Sequence, residues 1–178
     1  MTYHSSLLIP AYLSILLPIF IYPIPYINKD IISQKLFIKF SSTRLFILFF
    51  NNLYYLLITD KNIFTNYNTV LFSGIISIII GCYLIYSVFE KLSVKGVYYG
   101  LQYNSVKFKK IEGFPFNLIH PMYIGGCLVY VGIFLIFAFK NIIDNVFLTE
   151  LFYIISVQIY LANMEYILDR IYSSVKTV

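Results

Sequence analysis

The run from Val70 to Phe89 holds 20 residues without one charged side chain, the length a helix needs to cross the hydrocarbon core of a bilayer. Four more apolar runs accompany it: Ser5 to Ile27, Leu36 to Thr59, Pro121 to Phe139 and Val146 to Ala162. Hydrophobic residues make up 60% of the chain and charged ones 12%, with a mean hydropathy of +0.79. A soluble globule of this length has too little interior to hide that much apolar surface, whereas lipid accepts it on the outside of every helix. The expected fold is all-α, a polytopic integral membrane helical bundle of four to five membrane segments. It forms one domain over residues 1–178.

The uncertainty in segment number lies in the first run, where Pro10, Pro18, Pro23 and Pro25 kink any helix and favour a tilted or re-entrant path as much as a full crossing. Residues 1–27 lack the charged start and small-residue cleavage site of a secretory leader and are expected to be retained. In the second run, Lys39 and Arg44 fall near the start, where long side chains can snorkel to the headgroups. Cys82 and Cys127 both lie in apolar runs and read as small buried hydrophobes. With only His4 and His120 and no close pair of cysteines, the usual metal-ligand spacings are missing and no metal is expected.

Charge sets the orientation. Basic residues precede or open the second run (Lys29, Lys35, Lys39, Arg44), fill the stretch between the third and fourth (Lys91, Lys95, Lys107, Lys109, Lys110) and follow the fifth (Arg170, Lys176). Two crossings separate each region from the next, so all three share a side. They hold eleven of the 13 basic residues, leaving Lys61 and Lys140 opposite. The excess of positive charge marks the cytoplasmic side, which makes the C-terminus cytoplasmic. Lys107, Lys109 and Lys110 also stand where anionic headgroups or phosphates lie. Orientation alone accounts for positive charge spread along such loops, so no nucleic-acid partner is expected.

Three polar features share that cytoplasmic face: Gly96-Val97-Tyr98-Tyr99-Gly100, the broken stretch from Gly113 to Gly126, and Glu165 with Asp169 and Arg170. The four-residue spacing of Gly96 and Gly100 permits close helix approach or a ligand contact, and Gly125, Gly126 and Gly132 raise the same alternatives. Pro115 and Pro121 bias Phe114 and His120 toward extended backbone, so the segment between them reads as a shaped loop. His120 stands just before the fourth run, where an imidazole can carry a proton near neutral pH or simply mark the helix start. Glu165 closes the last apolar run, where a carboxylate is costly unless paired or solvated. It is therefore a site residue or the partner of a nearby cation.

The combination Gly96 to Gly100, Gly113-Phe114-Pro115-Phe116-Asn117, then Pro121-Met122-Tyr123 and Gly125 resembles the core of the phosphatidylethanolamine N-methyltransferases, the small membrane phospholipid methyltransferases. The resemblance covers about residues 81–172. It implies transfer of methyl groups from S-adenosylmethionine to phosphatidylethanolamine and its mono- and dimethyl forms, giving phosphatidylcholine, in the endoplasmic reticulum membrane or a mitochondrial one. The family's cofactor contacts, a Gly-x-Gly stretch and an acidic pair, fall on Ile79-Ile80-Gly81 and on Met164-Glu165, so each keeps one of its two signature residues. Further departures are Leu101-Gln102 in place of Asp-Tyr, His120 in place of Asn, and Gly126 in place of Ser.

The reaction dictates what a site must contain. An ethanolamine ammonium has no lone pair and must lose a proton before it attacks a sulfonium methyl. His120 or Glu165 is the candidate base, Glu165 a candidate cofactor contact, and the Tyr99 and Tyr123 rings are candidate cation–π faces for sulfonium and methylated ammonium. His120-Pro121-Met122-Tyr123 also resembles the isoprenylcysteine carboxyl methyltransferases, which use the same donor, but Ile119 stands where that family commonly has Arg. The remaining alternative is a non-catalytic membrane relative, to which the changes at Ile79 and Met164 point. Against a channel or transporter, the spans hold almost no ionisable residues. No feature of the sequence bears on oligomeric state.

Overall fold

A computed structural model describes residues 5–58, 68–107, 112–139 and 145–176. Six helices account for most of them: α1 (Ser5–Ile21), α2 (Ile24–Ile27), α3 (Gln34–Ile58), α4 (Asn68–Val97), α5 (Pro121–Phe139) and α6 (Asn145–Lys176). No strand occurs among the described residues. Lys61, Lys109, Lys110 and Lys140 lie outside them.

The proline-rich first run breaks where its sequence requires. α1 ends at Ile21, and a separate four-residue turn, α2, begins after Pro23, whose missing N–H cannot continue the ladder. α5 has the bounds its apolar run predicts, starting on a proline, which is preorganised for the first helical position. α4 and α6 are longer than expected. α4 runs eight residues past Phe89 and kinks at Ser93, where φ is 61°. α6 continues fourteen residues past Ala162, so Glu165 stands inside a helix rather than after one.

Two helices among the described residues are long and apolar enough to cross a membrane, Thr69–Val97 and Leu148–Ile171. Leu13–Ile27 and Pro121–Ile136 are shorter apolar helices. α4 turns Phe72, Ile75, Ile76, Ile79, Ile80 and Tyr83 outward, an apolar face suited to lipid.

Without a hydrophobic force between helices in lipid, close packing and interhelical hydrogen bonds hold them together. α4 and α5 make the most extensive contact. Gly74 faces Gly132 and Gly81 faces Gly125, so closely that a Cβ on Gly81 would stand 2.5 Å from the Gly125 carbonyl oxygen. Between the two pairs, the Ser77 hydroxyl donates to the Leu128 carbonyl at 2.8 Å. The cysteines depart from expectation: Cys82 is exposed, Cys127 half-buried, and both are free thiols.

The core lies between the α4–α5 pair, α6 and the first three helices. Tyr22, Phe37, Tyr98, Tyr99 and Tyr123 pack there with Ile154, Val157 and Leu161. The start of α3 is stapled to the end of α4 by Gln34, whose Nε2 donates to the carbonyls of Lys95 and Tyr98, both at 2.9 Å. Arg44 does not snorkel as its position suggests. It is buried, with its guanidinium over the Tyr22 ring, 5.7 Å from the centroid.

Candidate active site

Glu165 is the point where the three polar sequence features meet. Its Oε1 accepts the Tyr99 hydroxyl and, at 2.6 Å, the Tyr123 hydroxyl. Tyr99 arrives from the turn after α4, Tyr123 from the first turn of α5, and Glu165 from the middle of α6. Both tyrosines are 7% exposed. Burial and the Glu165 charge hold the Tyr99 phenol well above its ordinary value of 10.0, so it remains a donor at any physiological pH.

One helical turn on, Asp169 forms the second acidic position. Its Oδ1 accepts the Tyr26 hydroxyl at 2.7 Å and the Gln102 amide at 3.3 Å. Residues four apart share a helix face, so the two carboxylates stand side by side with neutral donors around them. Hydroxyl and amide donors fix both side chains and leave acceptor oxygens on one face, an arrangement suited to an ammonium or sulfonium group.

This arrangement changes several sequence expectations. The acidic pair is Glu165 with Asp169, not Met164 with Glu165: Met164 packs against the apolar core. The Tyr99 ring is boxed edge-on by Tyr22, Tyr26 and Phe37, with centroids 5.2–6.1 Å apart. Its contribution is therefore a hydroxyl on Glu165, and the Tyr123 hydroxyl is engaged likewise. Gln102, a departure from the family pattern, is buried and holds Asp169. The sequence groups Asp169 with Glu165, and their i, i+4 spacing is the signal that pairs them on one helix face. Nothing in the sequence pointed to Tyr26 or Gln102, which lie 143 and 67 residues from Asp169.

His120 adopts φ 51°, the left-handed region, instead of the extended backbone expected before proline. Asn and His are among the few side-chain residues that tolerate this region, so the position suits either. Its carbonyl caps the start of α5 by accepting the Tyr123 and Ile124 amides at 3.0 and 3.2 Å. Its ring stands beside Tyr123 and Tyr166, with centroids 6.0 and 6.3 Å away. Burial lowers the His120 pKa from its ordinary 6.5, against an opposing pull from Asp169. The imidazole is thus neutral at pH 7, with a lone pair able to accept a proton.

The loop leading to His120 contains a cis Phe114–Pro115 bond. The Phe114 ring stacks on Tyr83 at 5.9 Å, and its carbonyl accepts Lys91 Nζ. Gly100 sits in a tight turn whose carbonyl accepts the Ser105 and Val106 amides, rather than in a helix–helix contact. Ile79, Ile80 and Gly81 do not join the carboxylates. Ile79 and Ile80 are 61% and 48% exposed, and Gly81 packs on α5. Among the described residues, no three His, Cys, Asp or Glu side chains gather as a metal site.

The fold and site together define an all-helical membrane protein with an acidic cluster framed by tyrosines where helices α4, α5 and α6 meet. The family model for phospholipid methyltransferases matches residues 69–174, which covers α5 and all but the outermost residues of α4 and α6. The chain belongs to the phospholipid methyltransferase family. No curated protein and no solved structure matches it.

Proposed function

We propose that this protein is an S-adenosylmethionine-dependent N-methyltransferase acting on phosphatidylethanolamine and its mono- and dimethyl derivatives. One observation carries the reading: Tyr99 and Tyr123, from two separate family-like motifs, converge on Glu165. In this reading the chain crosses the endoplasmic reticulum membrane four to five times with its C-terminus and site cytoplasmic, where the soluble donor is available.

The acidic face fits the donor's charge. Glu165 and Asp169 hold its ammonium or ribose groups, and when bound the donor supplies an electrophilic methyl group on sulfonium. His120, neutral and half-buried beside Tyr123, takes the proton from the ethanolamine ammonium. Tyr99 and Tyr123 fix the Glu165 carboxylate, and Tyr26 and Gln102 fix Asp169, so the negative charge is aimed before any ligand enters. Tyr99, Tyr123 and Gln102 are buried and back the cluster on its inner side, while the exposed Asp169 leaves its outer side open to an entering headgroup.

The test uses the full chain in microsomes lacking endogenous activity, with labelled S-adenosylmethionine and, in turn, phosphatidylethanolamine, its monomethyl form and a farnesylcysteine. Label in the two lipids is expected. Label only in the farnesylcysteine ester makes the protein a prenylcysteine carboxyl methyltransferase instead. No label with well-inserted protein makes it a non-catalytic relative.

A further inference from the structure

Arg44 is the buried charge that the carboxylate site leaves unexplained. Its residue is 8% exposed, and its Nε has no hydrogen-bond partner. It lines a cavity of about 220 Å³ whose wall also includes Tyr22, Tyr98, Tyr123, Gly126 and Gln158. Most of the remaining lining is aliphatic or aromatic. A guanidinium is permanently charged and carries five donors in a planar fork suited to phosphate. The Tyr22 ring gives it a cation–π contact but no acceptor for Nε, and such a group inside a membrane protein is expensive and marks a functional site by default.

The cavity and the acidic face share one residue. Tyr123 lines the cavity, and its hydroxyl bonds Glu165. Gln158 lies two helical turns before Glu165 on α6 and, with Arg44 and Tyr130, also lines a second, smaller void. The order of polar groups from Glu165 to the cavity is therefore carboxylate, tyrosine hydroxyl, guanidinium. A zwitterionic lipid headgroup presents the complementary order: amine outermost, phosphodiester next, acyl chains within.

We propose that Arg44 and Gln158 form a subsite for the lipid phosphodiester, which directs the headgroup amine past Tyr123 toward the acidic face. This rests on the phospholipid reading above and adds to it the group that the protein recognises. Gln158 supplies an amide donor to the same phosphate. The cavity's apolar walls take the glycerol end of the chains. Glu150 on α6 is buried nearby and, with Arg44, acts electrostatically on Tyr130; a pairing of Arg44 with Glu150 is the structural alternative.

The experiment uses the full chain in neutral detergent, with phosphatidic acid, phosphatidylethanolamine and diacylglycerol of identical acyl chains as probes, read by native mass spectrometry. The two phosphate-bearing lipids should bind and diacylglycerol should not. Arg44→Gln should weaken both by about tenfold or more, the value of one charge-assisted hydrogen bond, and Arg44→Lys by less. Gly126→Leu should have the same effect while keeping Arg44. A Cβ on Gly126 meets only the Gln158 amide, at 3.8 Å and in ordinary van der Waals contact, so the rest of the leucine crowds the cavity beside Gln158. S-Adenosylmethionine binding should be unchanged in both variants.

Unchanged lipid binding in Arg44→Gln or in Gly126→Leu overturns the subsite. So does equal binding of diacylglycerol, or recovery of lipid binding in an Arg44→Gln/Glu150→Gln double variant. Displacement of phosphatidic acid by millimolar inorganic phosphate overturns the lipid assignment in favour of a soluble anion. Phosphatidylethanolamine methylation with an unaltered KM in Arg44→Gln removes the subsite and leaves the activity standing. Arg44-dependent lipid binding in a protein that methylates no lipid removes the activity and leaves the subsite.

Discussion

Replacing Glu165 tests at once what the carboxylate does for the fold and what its charge does for the reaction. Two buried hydroxyls, those of Tyr99 and Tyr123, donate to one oxygen of Glu165. Glu165→Ala strands both. An unsatisfied buried donor costs about 1–3 kcal/mol, and because the two converge on one atom their losses do not simply add, which places the total near ~3 kcal/mol. Glu165→Gln keeps a carbonyl oxygen for the same hydroxyls and loses only the charge assistance, about 1 kcal/mol. The ordering in unfolding midpoint, measured in detergent, should be wild type, then Gln, then Ala. Methyl transfer should fall by about 100-fold or more in both, since a charged site group typically contributes that much. A Tyr99→Phe variant should cost about 1.5–3 kcal/mol in the wild-type background and much less beside Glu165→Ala. Equal stability of the Ala and Gln variants would show that Glu165 does not hold the tyrosines. Near-normal turnover in Glu165→Gln would remove its charge from the site.

The His120 pKa, lowered by burial, makes a signed prediction in pH. A histidine with a folded pKa below 6.5 contributes full stability above the unfolded value and loses it as pH falls through the lowered folded value; His120→Asn, which tolerates the left-handed backbone, should melt with less acid dependence. If His120 is the base, turnover should fall over the same acid window, and His120→Asn should lower turnover at every pH with that acid limb gone; retention of the limb excludes His120 as its origin. Gly81→Ala should destabilise the bundle by about 1–3 kcal/mol through overpacking against the Gly125 carbonyl, while Gly126→Ala should be near neutral, both read as melting midpoints. Ile79→Ala on the exposed face of α4 should leave S-adenosylmethionine affinity within about twofold, as a side chain outside the site does; a tenfold loss would return Ile79 to the cofactor site.

Hydropathy made the helices legible and their lengths illegible. An apolar run measures how much helix lipid can cover, so it locates α5, where proline also sets the start. It says nothing about where a helix stops outside the apolar zone. Residues 163–176 contain neither glycine nor proline, and α6 simply continues through them. The same logic separates what was read of the site from what was missed. Glu165 stood out because a carboxylate in an apolar stretch demands an explanation. Asp169 lies in more polar sequence, where its grouping with Glu165 was legible and its bonds to Tyr26 and Gln102 were not. Tyr99 and Tyr123 were legible as residues and not as roles: whether a tyrosine offers its ring or its hydroxyl is decided by what packs against the ring.

Register between helices was also written in the sequence, in a form that becomes readable only once the helices are paired. Gly74 and Gly81 are separated by seven residues, as are Gly125 and Gly132. Seven residues are two helical turns, so each pair lies along one face. An antiparallel α4 and α5 can therefore bring Gly74 to Gly132 and Gly81 to Gly125 simultaneously, as the structure does. A slip of one residue would drive side chains into backbone at both contacts. That lock fixes the height of the first turn of α5, and with it the height of Tyr123 against Glu165. The glycines far from any chemistry thus aim the hydroxyl that holds the carboxylate, and Gly126, the one glycine of the set outside the lock, is left to face the cavity beside Gln158.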